Sequence, residues 1–476
     1  MASGPLLDKQ ITKYTAILAA PLSILVAFIL VHTNTETALM VAIGVGVLVM
    51  TFINTDFAIY TLIFSMLLSP EFGSRSTTGE GITIRIDDII SAIILFTWLA
   101  KMALYKELAI FKKTPLNKPM GLYIFICFVS TGFGAMAGRL NPAAGFFFVL
   151  KYIQFFLIYF MVINHVRSKK QIDNYILSIL ITYVIVVIVA LSQIPRGYRL
   201  TAPFEGHGGE PNTLGGYLIM IIAINLALVL TPGILAKPVH RRLLITTTAI
   251  SVIPFLLTNS RGSWVSAIPV IIAFVVLSQR RYIVVGWIVF FIIVAPLVLP
   301  DTVIDRVRYT FQEQQGYSRT LQEEVGGVTL DTSASERVRS WKLAFEEFPQ
   351  HPILGFGVTG WRFLDAQFIR VLIETGLLGL YAFVRILALL LKNVWKIHKE
   401  AKIPFFRAYA LGFYIAIIAM LTHSIGANTF IIIRIMEPFW LIAGLVMSIP
   451  YIEEIELEKL RQMEDRATLV KMGVVS

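Results

Sequence analysis

Charge is scarce in this chain. Asp, Glu, Lys and Arg make up 15% of its 476 residues, where soluble domains carry about 25%. With 56% hydrophobic residues and a mean hydropathy of +0.74, that excludes both a soluble globular enzyme and a disordered chain. Cysteine is scarcer still: Cys127 stands alone, so neither a disulfide framework nor a cysteine-based metal cluster is expected. The sequence has no Walker motif, no dinucleotide fingerprint and no His/Cys metal spacing, so neither cofactor nor metal is expected. It also lacks the internal repeats that inverted-repeat transporters carry.

What is present in quantity is apolar length. Runs near 15–31, 37–53, 57–70, 89–105, 120–137, 143–163, 174–194, 213–231, 243–258, 263–278, 282–299, 367–391, 407–422 and 437–451 approach the ~20 residues of a membrane-crossing helix. They predict an all-α polytopic membrane protein with about 12–14 transmembrane helices. The short runs 57–70, 243–258 and 437–451 decide the count. The first run lacks a small-residue cleavage site and is expected to stay in the chain. The net charge of +11 then reflects cytoplasmic loops rather than nucleic acid. Lys and Arg crowd one set of alternate loops and both tails, which places both termini in the cytoplasm. The expected division is transmembrane helices over 1–299, a long, partly helical extracytoplasmic loop over 300–366, the last transmembrane helices over 367–451 and a cytoplasmic tail over 452–476.

Seven arginines oppose that bias: Arg75, Arg85, Arg139, Arg196, Arg199, Arg261 and Arg434. Any one of them can anchor a helix end by snorkelling. As a set they suggest a site that holds an anion. The long loop contains a predicted helix over 333–348, with Ser335 as its N-cap and Pro349 and Pro352 as its stop. A loop of that size is usually functional. A second outer loop, PRGYRLTAPFEGHGGEPN at 195–212, is rich in Gly and Pro and carries two Arg, two Glu and His207.

Four stretches, in order, resemble one family. They are RLTAPFEGHGGEPNTLGG (199–216), TNSRGSW (258–264), HPILGFG (351–357) and DAQFIRVLIETGLLG (365–379). Their spacing is similar to that of the O-antigen ligase and polymerase superfamily over roughly 195–445. The resemblance implies a multispanning glycosyltransferase that moves a glycan from an undecaprenyl-diphosphate-linked donor to an acceptor, with inversion and without metal. The acceptor is lipid A core in the ligases and another lipid-linked glycan in the polymerases. The partners implied are that donor, a glycan or lipid-linked acceptor and membrane lipid. The chain resembles a component of polysaccharide biosynthesis in the bacterial inner membrane, working on the periplasmic side.

The chemistry assigns candidates. A diphosphate leaving group needs stabilisation of developing negative charge, and guanidinium supplies it. Arg261, in a short turn followed by a helix start, is such a group; a helix-end anchor is the alternative reading. Arg199 is a second, or else pairs with Glu205, and Arg196 is its neighbour. The acceptor hydroxyl needs a base. Family members typically have a His at the end of the long loop, but this sequence has Asp365 there. Asp365 is therefore the candidate base, or the N-cap of the following helix. His207 and His423 are the fallbacks, and His351 reads as a turn residue. Arg337 and Arg339 are read as solvated or paired with Glu336 or Glu346, or facing a cavity. Arg370 and Glu374, at i and i+4, are placed to pair on one face, and with Lys151 they are cavity-lining candidates because charges at such depth face protein or water. Two other readings compete. A lipid-linked polysaccharide transporter or flippase would use the buried charges as a pathway, and a membrane scaffold would need no outer arginines.

Overall fold

The computed structural model describes residues 35–72, 84–104, 112–205, 209–234, 238–298, 301–308, 323–325 and 328–471. The expected span at 15–31, Arg75 and His207 lie outside the described residues. In chain order the helices are α1 (Thr35–Ile53), α2 (Thr55–Leu68), α3 (Ile86–Leu104), α4 (Asn117–Met136), α5 (Pro142–His165), α6 (Lys169–Ser192) and α7 (Pro211–Leu230). They continue with α8 (Pro238–Leu257), α9 (Arg261–Leu277), α10 (Arg281–Val298), α11 (Asp301–Arg308), α12 (Thr332–Glu347), α13 (Gln367–Glu400), α14 (Pro404–His423) and α15 (Ile433–Lys471). Among the described residues the strands are two short antiparallel pairs, β1 (Glu71–Phe72) with β2 (Ile84–Arg85) and β3 (Glu324–Val325) with β4 (Val328–Thr329).

The chain is an all-α, multi-pass membrane protein. An apolar segment in lipid has to satisfy its own backbone, and a helix does so. Among the described residues seven helices, α4 to α7 and α13 to α15, are long and apolar enough to cross. Thr55–Leu68, Arg261–Leu277 and two other stretches form shorter apolar helices. Fourteen to 17 residues reach only about 21–26 Å at 1.5 Å per residue, short of a hydrocarbon core of ~30 Å. Helix starts follow local chemistry. Asn141 accepts from the amides of Ala143 and Ala144 with Pro142 at the first helical position, and Ser168 caps α6 through Gln171 N. One predicted cap is corrected: α12 begins at Thr332 on Asp331, which accepts from Ala334 N. Ser335 lies inside that helix and accepts from Glu323 N instead.

The chain divides into two compact units, one of residues 1–62 and 88–109, the other of 63–87 and 110–476. In the first, Ile59, Leu62, Ile94, Leu95 and Trp98 are buried, and Lys101 reaches Thr55. In the second, α7 is the central helix, almost wholly buried and packed most extensively on α14. α15 packs on α5, and α13 lies against both α4 and α14.

One feature of the second unit positions everything that follows. α13 is interrupted at Gly376, whose φ of 67° and ψ of −168° are not helical. The freed backbone groups are taken by residues 352–357. Phe356 N donates to Ile373 O and Gly357 N to Glu374 O, both at 2.9 Å, while Leu377 N donates back to Pro352 O at 2.9 Å. The end of the long loop is thus stitched into the broken helix as an extra strand would be. Ser130 Oγ on α4 reaches Leu354 O (2.5 Å) and Glu374 O (2.8 Å) behind it. Gly355 must be glycine here: its φ is +68°, and a Cβ would sit 2.4 Å from the carbonyl carbon of Glu374.

Candidate functional site

A cavity of about 570 Å³ opens at the end of the second unit where α4 ends and α5, α7 and α13 begin. Its polar lining includes Arg139, Glu210, Asn212, Asp365, Arg370, Glu374 and Asn428, and Phe148 and Trp361 supply aromatic walls. The stitched helix break forms one side. There Glu374 accepts from Thr359 N (3.1 Å) and pairs with Arg370 at 2.9 Å, as their i, i+4 spacing requires. Both side chains are nearly inaccessible, at 12% and 5%, so the pair is a wall of the cavity rather than a surface bridge.

Asp365 stands at the cavity edge, just outside α13. Ala366, not Asp365, occupies the N-cap position, and no side chain caps the helix, so the capping alternative for Asp365 is set aside. Burial pushes its carboxyl above the usual carboxylate range, opposed by Arg337 and then Arg370, with Glu336 pushing the same way as burial. Arg337 Nη2 lies 3.6 Å from Asp365 Oδ2. Arg337 also joins a cationic group. Arg199 donates to the carbonyls of Thr258 (3.2 Å) and Asn259 (2.8 Å). Burial of its head, and then the guanidiniums of Arg306, Arg261 and Arg337, pull its pKa down to about 10, although the residue as a whole stays solvent-accessible. Arg261 opens α9 behind the Ser260 cap and pairs with buried Asp331 at 2.7 Å. Arg199 is thus within electrostatic reach of three further guanidiniums, a cationic group that suits an added anion.

Behind the cavity runs a buried polar chain. Ser260 Oγ is 2.6 Å from Asn212 Oδ1 and 2.8 Å from Ser263 Oγ. Ser263 Oγ is 3.2 Å from His423 Nε2, and His423 Nδ1 is 2.8 Å from Thr429 Oγ1. His423 is fully buried and does not line the cavity, so it touches the site only through this chain.

The structure thus brings together Asp365, Arg337, Arg370, Glu374, Arg199 and Arg261. It leaves others apart. Arg196 is exposed at the end of a 3-10 turn. Arg339 turns toward Glu323 (3.7 Å), whereas Arg337 turns toward Asp365 and Ser333. Lys151 is buried beside Gln154 and over the Phe147 ring, away from the cavity lining. Glu205 pairs with Arg434 (3.4 Å), not Arg199. Arg434 is itself fully buried, and Arg85 is bound to Asp87, so both of these outer arginines serve internal partners. Glu210, Asn212, Asn428, Arg306 and Asp331 also lie at this candidate site and do not stand out in the sequence. Glu210 and Asn212 flank Pro211 inside a family-like stretch, which was a usable signal; the other three carry none locally.

These features define a class: a multi-pass helical protein with a carboxylate-lined cavity next to a cluster of guanidiniums. Residues 246–384 match the family model described as O-antigen ligase. Over that stretch, from α8 through the long loop into α13, the chain is similar to the O-antigen ligase family. The match takes in TNSRGSW, HPILGFG and ETGLLG but not the 199–216 stretch. None of the curated proteins matches the chain. That similarity supports a function of the O-antigen ligase or polymerase type, in polysaccharide biosynthesis.

Proposed function

We propose that this protein is a glycosyltransferase that moves a glycan from an undecaprenyl-diphosphate-linked donor to an acceptor sugar, with inversion and without a metal ion. In this reading it lies in the bacterial inner membrane, the cavity opens to the periplasm, and residues 300–366 form the extracytoplasmic loop between the spans of 1–299 and 367–451. The acceptor O–H attacks the anomeric carbon opposite the diphosphate. The C–O bond to the diphosphate breaks, its charge is taken up by Arg199, Arg261 and their neighbours, and the hydroxyl proton passes to Asp365.

The observation that carries this reading is the juxtaposition at Arg337. One guanidinium lies 3.6 Å from a carboxylate whose pKa is raised and within electrostatic reach of Arg199 and its cationic partners. A base held poised for a proton, beside positive charge waiting for a leaving group, is what an inverting transfer requires. The test is turnover by purified protein in lipid nanodiscs with a lipid-diphosphate-linked glycan, a chelator and no nucleotide. Arg199→Ala and Arg261→Ala are expected to abolish transfer. Arg261→Lys keeps a charge toward Asp331 but loses the bidentate head, so it separates loss of grip from loss of fold. Asp365→Asn is expected to slow turnover by roughly 10²–10⁴. Near-normal rates in all of these overturn the proposal.

A further inference from the structure

The cavity holds two asparagines whose amide groups are fixed from behind with opposite polarity. We propose that Asn212 and Asn428 form a clamp for a hydroxyl of the acceptor sugar, and that His423 is the positioning residue that sets the polarity of Asn212; the acceptor assignment rests on the transferase reading.

The direction of the chain follows from its far end. Thr429 is fully buried, and among the described residues its side chain has one partner, His423 Nδ1. Leaving a buried hydroxyl proton without an acceptor is costly, so Thr429 donates to Nδ1. His423 then carries its proton on Nε2 and donates to Ser263 Oγ. Ser263 donates to Ser260 Oγ, which also accepts from Ser263 N in its role as helix cap. Ser260 is left to donate to Asn212 Oδ1. The carbonyl of Asn212 is therefore engaged and its NH2 faces the cavity as a donor, with no protein partner among the described residues.

Asn428 is fixed the other way. Its Nδ2 donates to Leu364 O at 2.7 Å and approaches Asp365 Oδ1 at 3.5 Å. Its Oδ1 is buried without a partner in a residue only 8% exposed that lines the same cavity. An unpaired buried acceptor of this kind is expected to find a donor when the site is filled. A phosphate oxygen only accepts, and would oppose Asn428 Oδ1. A sugar hydroxyl both donates and accepts, so it satisfies both amides. Asp365 then lies beside the same oxygen-bearing ring, at the place a base must be.

Two measurements on the full chain in nanodiscs test this. In ¹⁵N-histidine NMR, with His423 assigned by its loss in His423→Gln, the ring is expected as the Nε2–H tautomer; the Nδ1–H tautomer reverses the chain and overturns the proposal. Saturation-transfer NMR with a panel of methyl glycosides reads sugar contact directly. At least one probe is expected to bind the wild type. Its signal should fall about fivefold or more in Asn212→Asp, which keeps the Ser260 bond but replaces donor by acceptor, an effect of the size of one hydrogen bond. His423→Leu should match that loss, and the double variant should lose no more than Asn212→Asp alone. His423→Gln, which restores an N–H near Nε2, should stay within twofold of wild type. No binding by any probe, additive losses in the double variant, or equal effects of Gln and Leu at 423 overturn the proposal. Sugar contact that behaves as expected in a protein showing no glycan transfer removes the transferase reading and leaves the clamp standing.

Discussion

At the scale of the residue, the proposed mechanism makes Asp365 and Arg337 set the acid side of the activity. Asp365 works as a base only when ionised, and burial raises its pKa above the ordinary carboxylate value. Activity is therefore lost as pH falls through that raised pKa, and the acid limb of kcat/KM is expected above the limb of an exposed carboxylate. Arg337 is the foremost influence pulling the other way. Arg337→Gln should move the acid limb to higher pH, which a pH–rate profile measures; an unmoved limb, or a downward shift, separates the pair functionally. Residue identity was legible where chemistry is local. The candidates Arg199, Arg261 and Asp365 were picked out from the sequence alone, and the i, i+4 pairing of Arg370 with Glu374 is present in the structure. Asp331 and Arg306 were not picked out, because they come to Arg261 and Arg199 from far along the chain, 70 residues away for the Arg261–Asp331 pair. The same applies to Asn428, whose partner Leu364 O is set by how α14 returns to the start of α13.

At the scale of the element, the break in α13 explains two stretches that looked independent. In sequence HPILGFG reads as part of the loop and ETGLLG as part of the span 367–391. In space they exchange backbone hydrogen bonds with each other. Local patterning reports periodicity but not pairing, so a continuous apolar run hid the interruption at Gly376. That glycine has φ +67°, and a Cβ on it would lie 2.2 Å from Ile353 O. A backbone at φ 67° and ψ −168° lies in a region essentially reserved for glycine and costs other residues about 1–3 kcal/mol before any clash, so Gly376→Ala is expected to destabilise by more than that. It should lower the thermal midpoint in detergent and reduce transfer together, because Glu374 and Thr359 lose their shared register. A variant with wild-type midpoint and activity would mean that the loop seats without this register.

At the scale of the whole molecule, apolar length and charge asymmetry were enough to read a helical, polytopic membrane protein. The number of crossings was less legible. α2 and α9 are apolar but too short to cross alone, and hydropathy gives no sign of how a short helix is completed by its neighbours. The proposed orientation has a direct test. Cys127 is fully buried, so in a Cys127→Ser background a cysteine introduced at exposed Tyr198, near the cavity end, is expected to react with a membrane-impermeant maleimide on intact cells. One at Lys396, near the far end of α13 and 65% exposed, should react only after the membrane is opened. The reverse pattern inverts the topology and places the cavity in the cytoplasm.

Arg434 carries a consequence for biosynthesis. Its guanidinium donates to the carbonyls of Leu67 (2.7 Å) and Ser69 (3.1 Å), groups that α2 leaves unsatisfied where it ends. A chain emerging from the ribosome makes residues 67 and 69 long before residue 434 exists. Arg85 takes the neighbouring Met66 O early, but the end of this helix waits for its last capping partner until nearly the final span has been translated and inserted. Loss of the distal helix would then be felt close to the start of the polypeptide, and truncated products would be recognised by quality control at their early segments.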